Sequence, residues 1–543
     1  MNCDNTRREF LKTTAGITVG AGFGLTNGAV VAAETTREPL ALAKLRKKAK
    51  HRRRRLIYNN DSGDIAHPGA DTPDGFLSQR SKPILGSQVD SVFYCTGATV
   101  MFTHLAKVGE TYGEFCPDGS GGAIYRKNLT ALKKAGHDVL NLTVDFCHRH
   151  KLEVFFTHRI NDIHDSFLDW ELARWKRECP ESLLGTREIA AKSGGANSPK
   201  RWWSAFDFEK PQVIDYLCRI ADDVCTRYDI DGYEIDYFRS PMFFRPNLDY
   251  KPATRAQVEI LTNFQRRVRG IAYRDGTRRG RPILVAARVP ATPATCLHVG
   301  IDIKRWIEEG LVDVLTVGGG YVPFTEPLDE IIKWAHDHEI PVYPTISASG
   351  MRGGNGRYNS VEAWRGAAAN MWHAGADGIV TFNIFPPKPE QRFLEMGSLD
   401  TLAGLDKLFV IDPKRTLEGD LVQGIEQRQV LPIAVPGMGK PITAHLPIGD
   451  DLPATGKKGI LKSAELRIQL GDPKSVDVVE IKLNGSKLTP IASDPKDGWI
   501  TFQPRAEQYR HGRNELTFRD VSGSAGKKSR TNVIHVEAHV KYN

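Results

Sequence analysis

Between residues 56 and 412 eight short apolar runs recur, each followed by a loop or by a stretch with the three- and four-residue apolar spacing of a helix. The runs are Leu56–Asn60, Ser91–Thr96, Leu152–His158, Gly232–Phe238, Ile283–Val289, Val312–Val317, Pro341–Ile346 and Gly378–Phe382. Helical patterns at Gln212–Tyr228, Arg255–Tyr273, Leu328–His338 and Val361–His373 separate the later ones. Strands joined through helices must run parallel, and eight such units predict a closed (β/α)8 barrel over residues 56–412. An open doubly wound sheet would follow its first strand with a glycine-rich phosphate loop, whereas this run ends in Asn59-Asn60-Asp61. The later glycine cluster, 350–356, follows the seventh run and is only a loop signal.

Two further segments flank the barrel. Past residue 412 the texture changes to short alternating runs, among them Leu466–Leu470, Val479–Leu483, Trp499–Phe502, Glu515–Phe518 and Val533–Val536. The second runs into Asn484-Gly485, a strong hairpin signal, and residues 413–543 are expected to form a β-sandwich. At the other end, Thr6-Arg7-Arg8-Glu9-Phe10-Leu11-Lys12, a weakly apolar stretch from Thr13 to Leu25 and Val31-Ala32-Ala33 resemble a twin-arginine signal peptide spanning residues 1–33. That resemblance implies a transient partner, the twin-arginine translocase, and a periplasmic or extracellular location. The apolar stretch falls short of the roughly 20 residues a spanning helix needs, and no later segment reaches that length, so no membrane span is expected in the mature protein.

Charge narrows the choice of partner. The net charge is +9, but residues 1–55 hold 13 Lys and Arg against 4 Asp and Glu, so the rest of the chain is neutral and nucleic acid is not an expected partner. The basic run Lys44–Arg55, KLRKKAKHRRRR, closes a linker over residues 34–55. It reads as a solvated, helical connection in preference to a tether for an anionic surface. The eight cysteines contain no C-x-x-C pair, which removes zinc-knuckle and thioredoxin-type chemistry.

In barrels of this kind chemistry sits at the C-terminal ends of the strands. Those ends offer Asn59, Asn60 and Asp61 from the first run and His158, Arg159, Asn161, Asp162 and His164 from the third. The fourth offers Glu234, Asp236 and Arg239, and the later runs Arg288, Tyr321, Ser347 and Asn383. Glu234 and Asp236 are two apart in a strand, so both face the barrel interior while Ile235 faces the helices. With a rise of about 3.3 Å per residue the two acids lie close enough for one to raise the other's pKa. A raised acid beside a carboxylate is the pairing that cleaves glycosidic bonds. The plain alternative is ion pairing with Arg159, Arg239 or Arg288.

The nonapeptide Asp231-Gly232-Tyr233-Glu234-Ile235-Asp236-Tyr237-Phe238-Arg239 resembles the fourth-strand signature of glycoside-hydrolase-like barrels, including family-10-like glycosyl hydrolases and the α-amylase and α-galactosidase superfamilies. The resemblance implies a catalytic aspartate at Asp236, acting as nucleophile or base. Phe238 stands where chitinase-type barrels carry their glutamate. Glu234 stands where amylase-type barrels carry an arginine, and the fifth run, Leu284–Val289, has no acid. The proton donor is therefore sought at Glu234 or Asp162.

Around these acids Asn60, Asp61, His158, Arg159, Asn161, Arg239, Arg288, Tyr321 and Asn383 are candidate substrate-binding residues. Arg159, Arg239 and Arg288 would clamp a sulfate or carboxylate if they converge. Trp202 and Trp203 either stack on sugar rings or anchor an inserted loop. The expected function is hydrolysis of a poly- or oligosaccharide, an acidic or sulfated one included, with no cofactor and no resident metal. The sandwich loosely resembles the jelly-roll modules attached to glycosidases. Two alternatives stay open: a glycan-binding barrel without activity, suggested by the missing glutamates, and a metal-dependent deacetylase or phosphodiesterase built on His158, Asp162 and His164.

Overall fold

The computed structural model describes residues 39–193, 198–319, 322–351, 356–388, 390–413, 431–437, 439–522 and 531–543. The expected signal peptide and Tyr321 lie outside the described residues. Eight parallel strands close into a barrel: β1 (Leu56–Asn60), β2 (Val89–Tyr94), β3 (Glu153–Arg159), β4 (Gly232–Asp236), β5 (Leu284–Val289), β6 (Val314–Val317), β7 (Val342–Ser347) and β8 (Ile379–Phe382). Each pairs with the next and β8 pairs with β1. The strands fall within one or two residues of the eight apolar runs.

Alternation along each strand sorts side chains to two cores. Ile57, Phe93, Phe155, Ala286, Val314 and Val380 pack inside the barrel. Their neighbours Tyr58, Phe156, Ile235 and Leu315 pack outward against the helices in the main core. Helix Pro211–Arg227 shows the outward logic: Pro at its first turn, then Val213, Leu217, Ala221 and Val224 at three- and four-residue spacing, all buried.

The basic segment is helical over α1 (Leu40–Lys50), but its far end is not solvated as expected. Arg54 is completely buried under the N-terminal mouth of the barrel. Its Nε and Nη2 donate to the two oxygens of Glu153 at 2.7 and 2.8 Å, and its Nη1 donates to the Tyr343 hydroxyl at 3.2 Å. The same guanidinium donates to the carbonyls of Ala49 and Lys50 at 2.9 Å each, capping the end of α1, where cations are favoured. Burial in an apolar mouth requires such complete pairing, and of four consecutive arginines only Arg54 has the position to receive it.

The C-terminal region is a sandwich of two antiparallel sheets. One orders Lys407–Val410, Thr531–Tyr542, Leu461–Leu470, Trp499–Phe502 and Ala492–Asp494, with Ile433–Val435 on the long strand. The other orders Ile442–Ile448, Gly512–Asp520, Val479–Leu483 and Ser486–Lys487. Asn484 and Gly485 take φ of 49° and 85°, the left-handed pair a two-residue hairpin needs. Strand Lys407–Val410 shows that the sandwich sheet begins before residue 413. That strand lies on helix Val361–His373 at Gly366, where a Cβ would come 2.1 Å from the Leu408 carbonyl oxygen. Among the described residues no helix is long and apolar enough to cross a membrane.

Candidate functional site

At the C-terminal rim, β3, β4 and β5 carry Arg159, Asp236 and Arg288 in one row of the register, and all three side chains are buried. Asp236 Oδ1 accepts the backbone N–H groups of Phe238 and Arg239 at 3.0 and 2.9 Å, and Oδ2 accepts Arg288 Nη1 at 3.2 Å. Arg288 Nε in turn donates to the Gly318 carbonyl at 3.2 Å. The Phe382 ring at the end of β8 gathers three cations, with the guanidinium carbons of Arg288, Arg159 and Arg239 at 4.2, 5.9 and 5.9 Å from its centroid.

Asp162 follows β3 and is 1% exposed. It accepts the His164 backbone N–H at 2.9 Å and contacts His164 Nδ1 at 2.5 Å, with Arg239 Nε at 3.4 Å and Arg159 Nη1 at 3.6 Å. Arg239 Nη2 lies 2.9 Å from His164 Nε2, and because a guanidinium only donates, Nε2 accepts and Nδ1 carries the proton given to Asp162. Burial alone would raise the Asp162 carboxyl, but His164, Arg239 and Arg159 outweigh it and hold the group well below the usual carboxylate range. A carboxyl held in this way is poorly suited to donate a proton, the role sought for Asp162. On the next rim Asp61 pairs with Arg80, and Arg159 lies within electrostatic reach of both acids and of Asp236.

Several expected residues are placed elsewhere. His158 points outward from β3: its Nδ1 meets the Tyr233 hydroxyl and its Nε2 the Thr99 carbonyl, both at 2.7 Å, and burial pushes its pKa down to about 4. It therefore shares no ligand set with His164. Asn60 also faces outward, donating to Asp64 at 2.9 Å and accepting Arg80 Nη1 at 3.3 Å, so it positions Arg80 and is not itself in the mouth. Asn161 is spent on backbone, accepting the Phe206 N–H at 2.7 Å and donating to the Met242 carbonyl. Asn383 takes φ of 55° and donates to the Ser349 hydroxyl at 3.3 Å, joining the loops after β7 and β8. Trp202 and Trp203 are each 7% exposed. Trp202 packs with Leu184, Ala205, Met242 and Leu248 in a small core of the inserted loop, while Trp203 joins the main core with the Arg187 guanidinium 4.7 Å from its ring, so both indoles are spent on packing.

Glu234 faces inward as expected but sits one layer below Asp236 and is 1% exposed. Its oxygens accept the hydroxyls of Thr157 at 2.7 Å and Thr316 at 2.6 Å. Burial first, then the Asp236 charge, push its pKa up to about 7. The folded state thus holds this proton more tightly than the unfolded chain, whose glutamates titrate near 4.3. Stability from Glu234 is full below about pH 4 and is lost as pH rises to about 7, a loss on the order of 3 kcal/mol. Glu234→Gln keeps both threonine contacts without the charge. It is expected to raise Tm by several degrees at pH 8 and to leave it nearly unchanged at pH 4, as read by calorimetry at both values.

Three features escaped the sequence. Arg80 comes from a helix in the loop after β1, and Phe382 was passed over for its neighbour Asn383. The third is an aromatic wall above the rim, from loops that are distant in sequence. Tyr112 lies 4.7 Å from Tyr125 and 5.7 Å from Trp170, centroid to centroid, and Trp170 adjoins Glu171. Gly121 and Gly122 let the indole lie down, since a Cβ at either would come 3.2 or 2.7 Å from it. By contrast, a cavity of about 260 Å³ at the other end of the barrel, bordered by Arg55, Trp372 and Asp377, holds none of these groups.

No protein-family model matches the chain, and no curated protein matches it. Among solved structures it is similar to α-L-fucosidase isoenzyme 2 from Paenibacillus thiaminolyticus, with 14% identity, 63% of this chain and 48% of that one covered, and a TM-score of 0.38. It therefore spans about half the length of that enzyme. The glycoside hydrolase domain of PgaB (BpsB) from Bordetella bronchiseptica gives 10% identity over 65% of this chain and 97% of that one, TM-score 0.38. A glycoside hydrolase family 18 N-acetylglucosaminidase from Paenibacillus barengoltzii gives 10% identity over 63% and 98%, TM-score 0.33.

Proposed function

We propose that this protein is an exported hydrolase that cuts glycosidic bonds in an anionic polysaccharide. Asp236 attacks the anomeric carbon or activates the water that does, and Arg159, Arg239 and Arg288 receive a carboxylate or sulfate of the substrate. The observation that carries the reading is the convergence of three arginines beside Asp236. The guanidinium groups of Arg159, Arg239 and Arg288 gather over the Phe382 ring, next to Asp162 and Asp236. Arg159 Nε is also buried and has no hydrogen-bond partner among the described residues. A buried donor without an acceptor is costly, and an anionic group entering the mouth would satisfy it. The C-terminal end of a closed barrel, a fixed carboxylate and a nearby aromatic wall support sugar chemistry. The arginine pair at residues 7 and 8 supports twin-arginine export to the periplasm or beyond.

The test is reducing-end release by the chain from residue 34 on neutral, uronate-rich and sulfated polysaccharides. Release from an anionic class is expected, weakening as added salt shortens the Debye length from about 10 Å at 0.1 M to about 3 Å at 1 M. Cleavage confined to neutral polymers would remove the role given to the arginines. Binding without cleavage would leave a lectin-like barrel.

A further inference from the structure

Two insertions at the C-terminal face carry an exposed aromatic surface that starts beside the mouth. Of the phenylalanines among the described residues, only Phe115 and Phe167 are largely exposed, at 57% and 53%. Phe115 belongs to the connection after β2 and Phe167 to the one after β3. The Phe167 N–H donates to the His164 carbonyl at 2.9 Å. The His164 ring contacts Asp162 and Arg239, and the Arg239 N–H donates to Asp236 at 2.9 Å. With its side chain 44% exposed, His164 is the most open member of the cluster around Asp162. Phe167 thus sits one turn away from the side on which that cluster meets solvent.

The half-buried Trp170 connects the two phenylalanines. It packs on Gly122, where a Cβ would meet the indole at 2.7 Å and Cys116 at 2.8 Å, and Phe115 immediately precedes Cys116. Cations accompany the exposed rings: Arg174 Cζ lies 4.8 Å from the Phe115 centroid and Arg201 Cζ 5.7 Å from the Phe167 centroid. The neighbouring acid, Asp169, is taken up by Arg177 and Arg187. Phenylalanine is among the residues most often buried, and exposed rings grouped beside a cleft mark a surface that a ligand covers. A sugar that bears a carboxylate or sulfate offers a C–H face to a ring and an anion to a guanidinium, the two groups alternating here.

We propose that Phe115, Trp170 and Phe167, with Arg174 and Arg201, bind further acidic sugars of the chain that enters the mouth, so that the ligand is a polymer and not a single glycoside. The glycosidase reading above supplies only the position of the cut. The surface itself holds an acidic polysaccharide whether or not the chain is cleaved.

The test is titration calorimetry of polygalacturonate, dextran sulfate and neutral dextran with wild type, Phe115→Ala, Phe167→Ala, the double variant and Arg201→Gln, with thermal unfolding of each to confirm the fold. Wild type is expected to bind at least one of the two anionic polymers and not dextran. Each phenylalanine variant should weaken that binding by roughly 2- to 10-fold, and the double variant by about the product of the two. Arg201→Gln should weaken it more at low than at high salt. On a polymer that wild type cuts, the phenylalanine variants should raise KM more than they lower kcat. Binding that the double variant leaves unchanged overturns the surface and leaves the glycosidase reading intact. Failure to bind either anionic polymer, or equal binding of dextran, overturns it as well. So does a wild-type dimer that the double variant dissociates, which would give the rings to a second copy of the chain. Binding that the variants weaken, without cleavage by wild type, keeps the surface and removes the glycosidase reading.

Discussion

Replacing Asp236 by Asn is expected to lower kcat/KM on the anionic polymer by on the order of 10³-fold or more, with binding retained. An amide keeps Oδ1 as acceptor for the Phe238 and Arg239 N–H groups, so the end of β4 holds its shape. What disappears is the negative charge facing Arg288 and, in the proposed mechanism, the group that forms or draws the bond at C1. Initial rates from reducing-end release give the loss, titration calorimetry with the same polymer reports binding, and matched circular dichroism spectra exclude unfolding. A variant that cuts as wild type does would move the chemistry away from Asp236.

The second large effect concerns stability. Glu153→Ala leaves Arg54 buried in the base of the barrel with no carboxylate, since Arg54 Nε and Nη2 both rest on Glu153 and Ser91 donates to it at 2.6 Å. Breaking a buried pair from one side costs about 3–5 kcal/mol, which in a protein of this size lowers Tm by roughly 5 °C. Arg54→Met combined with Glu153→Leu removes both charges and should recover most of the loss, because such pairs are often replaceable by apolar groups. Thermal unfolding of the single and double variants checks both statements. A single variant as stable as wild type would mean that solvent reaches Arg54.

Periodicity made most of the fold legible. Eight apolar runs became eight strands, and the Asn-Gly signal became the sharp hairpin at residues 484 and 485. It also placed Glu234 and Asp236 on the inner face. The same period of two explains what was misplaced, because choosing a residue one step along a strand moves it to the opposite face. His158 adjoins Arg159, Asn60 adjoins Asp61 and Asn383 adjoins Phe382, and in each pair the first side chain bonds outside the barrel or between its loops. The roles of Trp202 and Trp203 depended on whether the insertion between β3 and β4 has a core of its own, and no periodicity reveals that in an irregular segment. The wall of Tyr112, Tyr125 and Trp170 lay beyond reach for a related reason: it forms where two insertions meet. Arg54 was hidden in a run of four identical residues, where only the register of β1 selects the buried one.

Hydrolysis at a glycosidic bond is most directly tested by mass spectrometry of products formed in H₂¹⁸O from a uronate-rich or sulfated polysaccharide. One ¹⁸O at each new reducing end is the expected result, absent with Asp236→Asn. Products without ¹⁸O that carry an unsaturated sugar, or no products at all, would contradict it, the first pointing to elimination at an arginine-bound carboxylate and the second to a barrel that binds glycans without cutting them.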